Sequence, residues 1–234
     1  MQVLIGIQAR SGSTRLPKKA FALIGGKTML DMVIDRCKKA AAYTNRSMNR
    51  VAVSVAVLTP SGDPIVSEFK RACDVVEGPE MDVLARYGVG VAKHNPDLIV
   101  RVTGDCPLIS PYTINRLIKL AIEHRYDYIS NVDERFRTAI DGDDCEVFSR
   151  RLFDLALEFA TRPYDREHVT SFMRRTPPEW AKIGAIIGSV DHSSVKLSVD
   201  TPEDLERVRL AHDAAHDKYS RATREIGQLQ VHRI

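Results

Sequence analysis

Residues 3–19 read VLIGIQARSGSTRLPKK, a short continuous apolar run delivered straight into a polar loop with Gly12 and the cations Arg10, Arg15, Lys18 and Lys19. An apolar run with no polar face predicts a strand covered on both sides, the habit of a parallel sheet. A helix follows in which Leu30, Val33, Ile34, Cys37 and Ala41 recur at helical spacing. A strand, a glycine-containing loop and a helix in that order open a doubly wound α/β sheet, whose ligand lies beyond the carboxyl ends of the strands.

The rhythm continues outward. VAVSVAVL (51–58) predicts a strand, and Asp63 offers an N-cap with Pro64 at the first helical position and Ile65, Phe69 and Ala72 as the buried stripe. A strand is expected at 74–78. A helix over 79–94 tolerates Gly88 and Gly90, each costing ~1 kcal/mol relative to Ala. DLIVRVT (97–103) is the clearest buried strand and runs into GDCPLISP; Ser110 and Pro111 then start a capped helix, and 126–131 returns a strand. Beyond it, strands are expected at 145–148 and 196–199, helices at 149–160 and 164–175, and a last helix capped by Thr201. No boundary shows, so residues 1–217 read as one domain and 218–234 as a polar, loosely ordered tail.

The chain has 234 residues, 44% hydrophobic, 28% charged and 6% aromatic, which excludes disorder, collagen and repeat arrays. No apolar run reaches the ~18 residues of a membrane span, and MQVLIGIQAR lacks the flank and cleavage site of a secretory signal. A cytoplasmic protein without a membrane partner is expected. Cys37, Cys73, Cys106 and Cys145 are scattered, indicating neither zinc nor a disulfide framework. A net charge of +3 with few aromatics argues against nucleic acid. The distribution is more telling: five cations precede the first acid, Asp31.

The loop QARSGSTRLPKK mixes what a polyphosphate needs, namely backbone N–H groups and hydroxyls for its oxygens and Arg and Lys for its charge. It is not a Walker A loop, because GGKT at 25–28 would need glycine at 21, where Phe21 stands. GVG at 88–90 is a poor dinucleotide fingerprint. Asp105 ends the 97–103 strand region and suits a divalent ion over the crevice, or a plain turn; Asp200 precedes the Thr201 helix and suits the same ion, or a cap. Because strand ends converge, both are expected at one Mg²⁺. DGDD (141–144) contains the D-x-D of many nucleotide-sugar glycosyltransferases, with a structural turn as the alternative. Arg135, Arg137, Arg166 and Arg174 offer cationic forks for an anionic acceptor.

Together QARSGSTRLPKKAF, VTGDCPLI, DREHVT and LSVDTPEDLERV resemble the cytidylyltransferases that make CMP-activated acidic sugars. The spore coat polysaccharide branch is nearest, the 3-deoxy-manno-octulosonate and acylneuraminate enzymes more distant. The resemblance implies a Rossmann-like nucleotide-diphosphosugar transferase fold with a mostly parallel central sheet flanked by helices. It implies an enzyme that transfers CMP from CTP to an anionic acceptor, with Mg²⁺ and pyrophosphate release, in polysaccharide biosynthesis. By matching position, Arg10 and Lys19 contact the CTP phosphates and Arg15 extends that site, while Ala9 lies near the base. Ser11, Gly12, Ser13 and Gly104 complete the nucleotide site. Asp105 and Asp200 match the metal aspartates and, with Arg10 and Lys19, the catalytic set. Asp141, Glu146, Arg166, Glu167 and His168 face the acceptor within a subregion of about 131–190, and GPEMDVLARY from Gly78 lines the same side. A homodimer is common in such enzymes. The chain departs from the pattern at Lys18, where the family usually has Gly, and at Asp143, where the branch commonly has an apolar residue. Two rival readings are a metal-dependent glycosyltransferase using DGDD with a nucleotide-sugar donor, and a non-catalytic nucleotide-binding module.

Overall fold

The structure, a computed structural model, describes residues 1–214 and 230–233. In chain order the strands are β1 (Gln2–Gln8), β2 (Leu23–Ile24), β3 (Lys27–Thr28), β4 (Ala52–Pro60), β5 (Asp74–Gly78), β6 (Leu98–Thr103), β7 (Tyr128–Ser130), β8 (Glu146–Ser149), β9 (Ile183–Ile187) and β10 (Gln230–Arg233). The helices are α1 (Met29–Ser47), α2 (Ile65–Phe69), α3 (Val83–His94), α4 (Pro111–His124), α5 (Arg150–Phe159), α6 (Pro163–Glu167), α7 (Ser171–Arg175) and α8 (Pro202–Ala214).

Val3, Ile5 and Ile7 of β1 join the core under α1 and α4, and Leu4 joins the core under α3 and α5, so β1 is buried on both faces as its apolar run requires. The main sheet is ordered β10-β9-β7-β8-β6-β1-β4-β5. Strands β6, β1, β4 and β5 are parallel, as are β7 and β9; β8 runs antiparallel between β7 and β6, and β10 antiparallel to β9. The chain winds outward from β1 to β5 and then returns across β1 to β6. The carboxyl ends of β1 and β6 therefore flank the point where the winding reverses, the usual ligand position in such sheets. The glycines of α3 serve close packing: a Cβ on Gly90 would stand 3.0 Å from Leu58 Cδ2, which offsets their helical cost.

The first half follows the sequence pattern, with caps in place. Thr28 accepts from Asp31 N at the start of α1, and Ser110 accepts from Thr113 N at the start of α4. Asp63 does cap, accepting from Ile65 N at 2.9 Å, but α2 begins one residue after Pro64 and stops before Ala72. Helix α3 starts at Val83 and leaves 79–82 as a loop, because Asp82 takes the N-cap by accepting from Ala85 N.

The second half departs further. The helix expected at 164–175 is two short helices, broken where Val169 adopts φ 51° and Thr170 donates to Glu146 from the neighbouring strand. Residues 196–199 are not a strand. Their only ladder contact is the bridge Asp141–Lys196, since Leu197 N and Ser198 N donate to Asp141 O and Val199 N donates to Asp105 O. Gly142, at φ 116°, makes this possible; a Cβ there would lie 2.6 Å from the Leu197 carbonyl carbon. Neither β9 nor the β2–β3 hairpin was expected from the pattern. Of the expected tail, 218–229 and 234 fall outside the described residues, while 230–233 form β10 on the edge of β9.

Candidate active site

The chain leaves β1 and β6 side by side. Gly104 N donates to Gln8 O at 2.8 Å, and a Cβ on Gly104 would come within 2.9 Å of Ala9 Cβ, so glycine is what lets the two backbones touch. The loop after β1 is tethered at Ser11, whose backbone N and Oγ both donate to Asp63 Oδ2. Lys18 then takes the left-handed conformation, φ 56°, and the following turn swings Lys19 back over the sheet. Lys18 thus adopts the backbone of a glycine, the residue that the resemblance leads one to expect at this position.

Lys19 Nζ donates to Asp105 Oδ2 at 3.0 Å, to Val199 O at 2.9 Å and to Asp200 Oδ1 at 3.4 Å. Asp105 and Asp200 thus converge on one ammonium nitrogen, and their nearer oxygens are less than twice 3.4 Å apart. Burial works to raise the Asp105 carboxyl, but the Lys19 charge and hydrogen bonds from Thr103 and Lys19 win, holding it below the ordinary carboxylate value. Asp200 also accepts from Arg15 at 2.9 Å and is set at the start of α8, where Asp204 accepts from Asp200 N and Thr201 N. Among the described residues no group of three or more His, Cys, Asp or Glu gathers as a metal cage. A pair of carboxylates is nevertheless the set magnesium takes when phosphate and water supply the rest.

A cleft of about 360 Å³ opens over this cluster. Gln8, Ala9, Arg10, Ser13, Arg15 and Lys19 line it, with Gly104, Asp105 and Asp200 beside them; Glu167 and His168 reach it from the end of α6. Ser11, Gly12, Asp141, Glu146 and Arg166 do not line it. Glu146 is 2% exposed and serves beneath the sheet, accepting from Arg101, Tyr128 and Thr170. Arg166 is bound to Asp82 through Nε and Nη2 and to the carbonyl of Leu157, stapling α6 to the start of α3.

The DGDD run is similarly occupied. Asp143 accepts from Ser110 N and Thr113 Oγ1, both at 2.6 Å, and burial pushes its carboxyl up to about 7. Asp144 accepts from Arg137 at 2.6 Å, and burial raises it to about 6. Asp143 thereby fastens the N-terminus of α4, a use for a carboxylate where an apolar residue is usual. Asp141 keeps a partly exposed carboxylate 3.9 Å from Arg137, but with Asp143 and Asp144 bound inside the protein and none of the three lining the cleft, the run does not present paired carboxylates to it.

Glu80, Met81 and Arg86 line the cleft within the GPEMDVLARY segment that the resemblance places on the acceptor side, although none is singled out there; Gln8 and Thr103 also line it and were passed over. For Arg86 a signal existed: it sits among Val83, Leu84 and Tyr87, where an amphipathic helix should turn apolar side chains inward. Gln8 and Thr103 carried no such mark, being polar residues at the ends of β1 and β6.

A family model described as cytidylyltransferase matches residues 4–231. The 3-deoxy-manno-octulosonate cytidylyltransferase of Polynucleobacter necessarius is 34% identical, over 88% of this chain and 94% of its own. The spore coat polysaccharide biosynthesis protein SpsF of Bacillus subtilis is 27% identical, over 92% and 88%. A solved cytidylyltransferase from Leptospira borgpetersenii superposes with a TM-score of 0.77 at 31% identity, covering 89% of this chain and 85% of that one. Among the described residues no helix is long and apolar enough to cross a membrane. A match of this extent, on a sheet whose winding reverses beside a basic loop, makes this chain a member of the cytidylyltransferase family, an enzyme that transfers nucleotidyl groups.

Proposed function

We propose that this enzyme transfers CMP from CTP to an anionic small-molecule acceptor, an acidic sugar or a related compound. The acceptor oxygen attacks the α-phosphorus, the bond from that phosphorus to the bridging oxygen of the β-phosphate breaks, pyrophosphate leaves, and the acceptor hydroxyl gives up its proton. The observation that carries this reading is the meeting of Lys19, Asp105 and Asp200 at the mouth of the β1 loop, under a cleft with Arg10 and Arg15 on its wall. Phosphoryl chemistry asks the protein for positioning and charge more than for a covalent intermediate.

The pair Asp105 and Asp200 fits a divalent ion, since both already enclose a cation's charge on Lys19. When bound there, Mg²⁺ would neutralise charge on the α-phosphate and the leaving pyrophosphate. Arg10 and Lys19 would hold the triphosphate, with Ser13 and the backbone of Ala9 and Gly104 beside it. Glu167 and His168, within the 131–190 subregion, would face the acceptor. The same reading takes residues 1–217 as one domain and includes a cytoplasmic homodimer; the free thiols suit a reducing compartment.

The test is to incubate the protein with each nucleoside triphosphate, Mg²⁺ and a panel of acidic and neutral acceptors, following pyrophosphate. Release is expected with CTP and an acidic acceptor. Preference for another triphosphate, or full activity with a neutral sugar alcohol, would overturn the assignment.

A further inference from the structure

Arg86, in the first turn of α3, is 1% exposed yet lines the cleft. Its seat is built for it: a Cβ on Gly78, at the end of β5, would come within 2.9 Å of Arg86 Cγ, so glycine there admits the side chain. Nε donates to Pro79 O at 2.9 Å and Nη2 to Glu80 O at 2.6 Å. Those bonds use part of a group that carries five N–H donors. Among the described residues no carboxylate lies within 4.0 Å of the guanidinium; neighbouring Glu80 offers it a carbonyl and not its side chain.

A buried cation without a counter-ion is costly, and proteins ordinarily pair it. Burial above all, with a smaller push from the Arg10 charge nearby, works against the charged form of Arg86 and outweighs what Tyr87, Glu80 and Asp63 lend it. Arg10 is exposed on the same cleft and has no ion pair among the described residues either. Two like charges brought together at one wall, one of them out of water, are stabilised by an anion arriving from outside.

We propose that Arg86 is an oxyanion-binding residue, gripping with Arg10 a phosphate or carboxylate group of a substrate. The shared chemistry is a planar or tetrahedral oxyanion taken by guanidinium forks. Its source, the triphosphate of CTP or the carboxylate of the acceptor, rests on the proposed reaction. The carbonyls of Pro79 and Glu80 orient the fork, and the short loop they belong to carries Met81 onto the cleft.

The experiment compares Arg86→Gln and Arg86→Lys with the wild type, after thermal melts establish folding. Titration calorimetry measures binding of inorganic pyrophosphate and CTP, and pyrophosphate release measures the KM of the panel acceptor that supports it. Arg86→Gln is expected to weaken one source of oxyanion at least tenfold, with Arg86→Lys intermediate because an ammonium keeps the charge and loses the fork. Weaker CTP and pyrophosphate binding assigns the triphosphate; unchanged CTP binding with a raised acceptor KM assigns the carboxylate. Folded variants within threefold of wild type in every measurement overturn the proposal. Should Arg86→Gln not fold, the arginine Nε resonances of the wild-type protein decide, with Arg86 assigned through Arg86→Lys. A signal unmoved by pyrophosphate, CTP and 3-deoxy-manno-octulosonate also overturns it. Failure of the reaction reading is separate: the wild type would then release no pyrophosphate from CTP, while the Arg86 signal would still respond to pyrophosphate or to 3-deoxy-manno-octulosonate.

Discussion

The β1 loop and the 131–190 region are both rich in charge, and they spend it in opposite ways. Around the loop, Arg10 has no ion pair among the described residues, and Arg15 and Lys19 are paired only with the two aspartates that line the same cleft. In 131–190 most of the arginines weighed as acceptor ligands, and Arg175 beside them, have carboxylate partners within the protein: Arg135 with Asp133, Arg137 with Asp144, Arg166 with Asp82 and Arg175 with Asp165. Arg174 differs, with a buried Nε that has no hydrogen-bond partner among the described residues. A run of cations therefore points to a ligand only where the neutralising carboxylates are missing or belong to the same site. Arg135, Arg137 and Arg166 each have a carboxylate partner within the protein and none lines the cleft, so their reading as acceptor-binding residues is one that the Arg166 variant must test.

The sharpest way to break the comparison is at the aspartates. Asp105→Asn and Asp200→Asn should fold and each lose roughly 10² or more in kcat for pyrophosphate release, the scale of removing an electrostatic stabiliser. The double variant should lose little beyond that, because both side chains serve one point. Additive losses would mean two separate roles. Next in size, Arg10→Ala or Lys19→Ala should weaken CTP binding by roughly 1.5 to 3 kcal/mol, measured by calorimetry, and Arg10→Lys should recover only part of it.

On the other side, Arg166→Ala should cost about 1 to 2 kcal/mol of unfolding free energy in a denaturant titration, as its paired but part-exposed contacts with Asp82 are lost. CTP affinity should stay within a few-fold. A raised acceptor KM with unchanged stability would restore Arg166 to the acceptor site.

The smallest effect concerns pH. The Asp143 carboxyl is raised by burial from 3.8 to about 7, so the folded protein binds this proton more tightly than the unfolded chain does. Its contribution to stability is therefore full below the unfolded value and declines as pH rises through about 7. Asp143→Asn, which keeps an acceptor for Ser110 N, should flatten that decline in melts recorded across the window. An unchanged slope would show that another group sets it.

Much of the first half was legible because its signals are local. A continuous apolar run marks β1 and β6, and Asp63 and Ser110 announce helix starts through bonds to residues two or three along. The second half hid its structure because distant partners decide it. Nothing in YDREHVTSFMRR shows that Thr170 will leave the helix to reach Glu146, and KLSV has the composition of a strand but lends its amides to Asp141 and Asp105. The site divides likewise. Arg10, Lys19, Asp105 and Asp200 were readable as residue types at loop and helix boundaries and Arg86 as a charge on an inward helix face, whereas Gln8 and Thr103 were silent.

By itself, the sequence determined the periodicity of each early element, the caps, the basic loop after β1 and the family to which its motifs point. These depend on neighbours along the chain. Only the tertiary structure decided which charges are free to meet a ligand, since whether Arg166 finds Asp82, 84 positions away, or Arg86 has no carboxylate within 4.0 Å among the described residues, is a matter of which side chains the folded sheet and helices bring together.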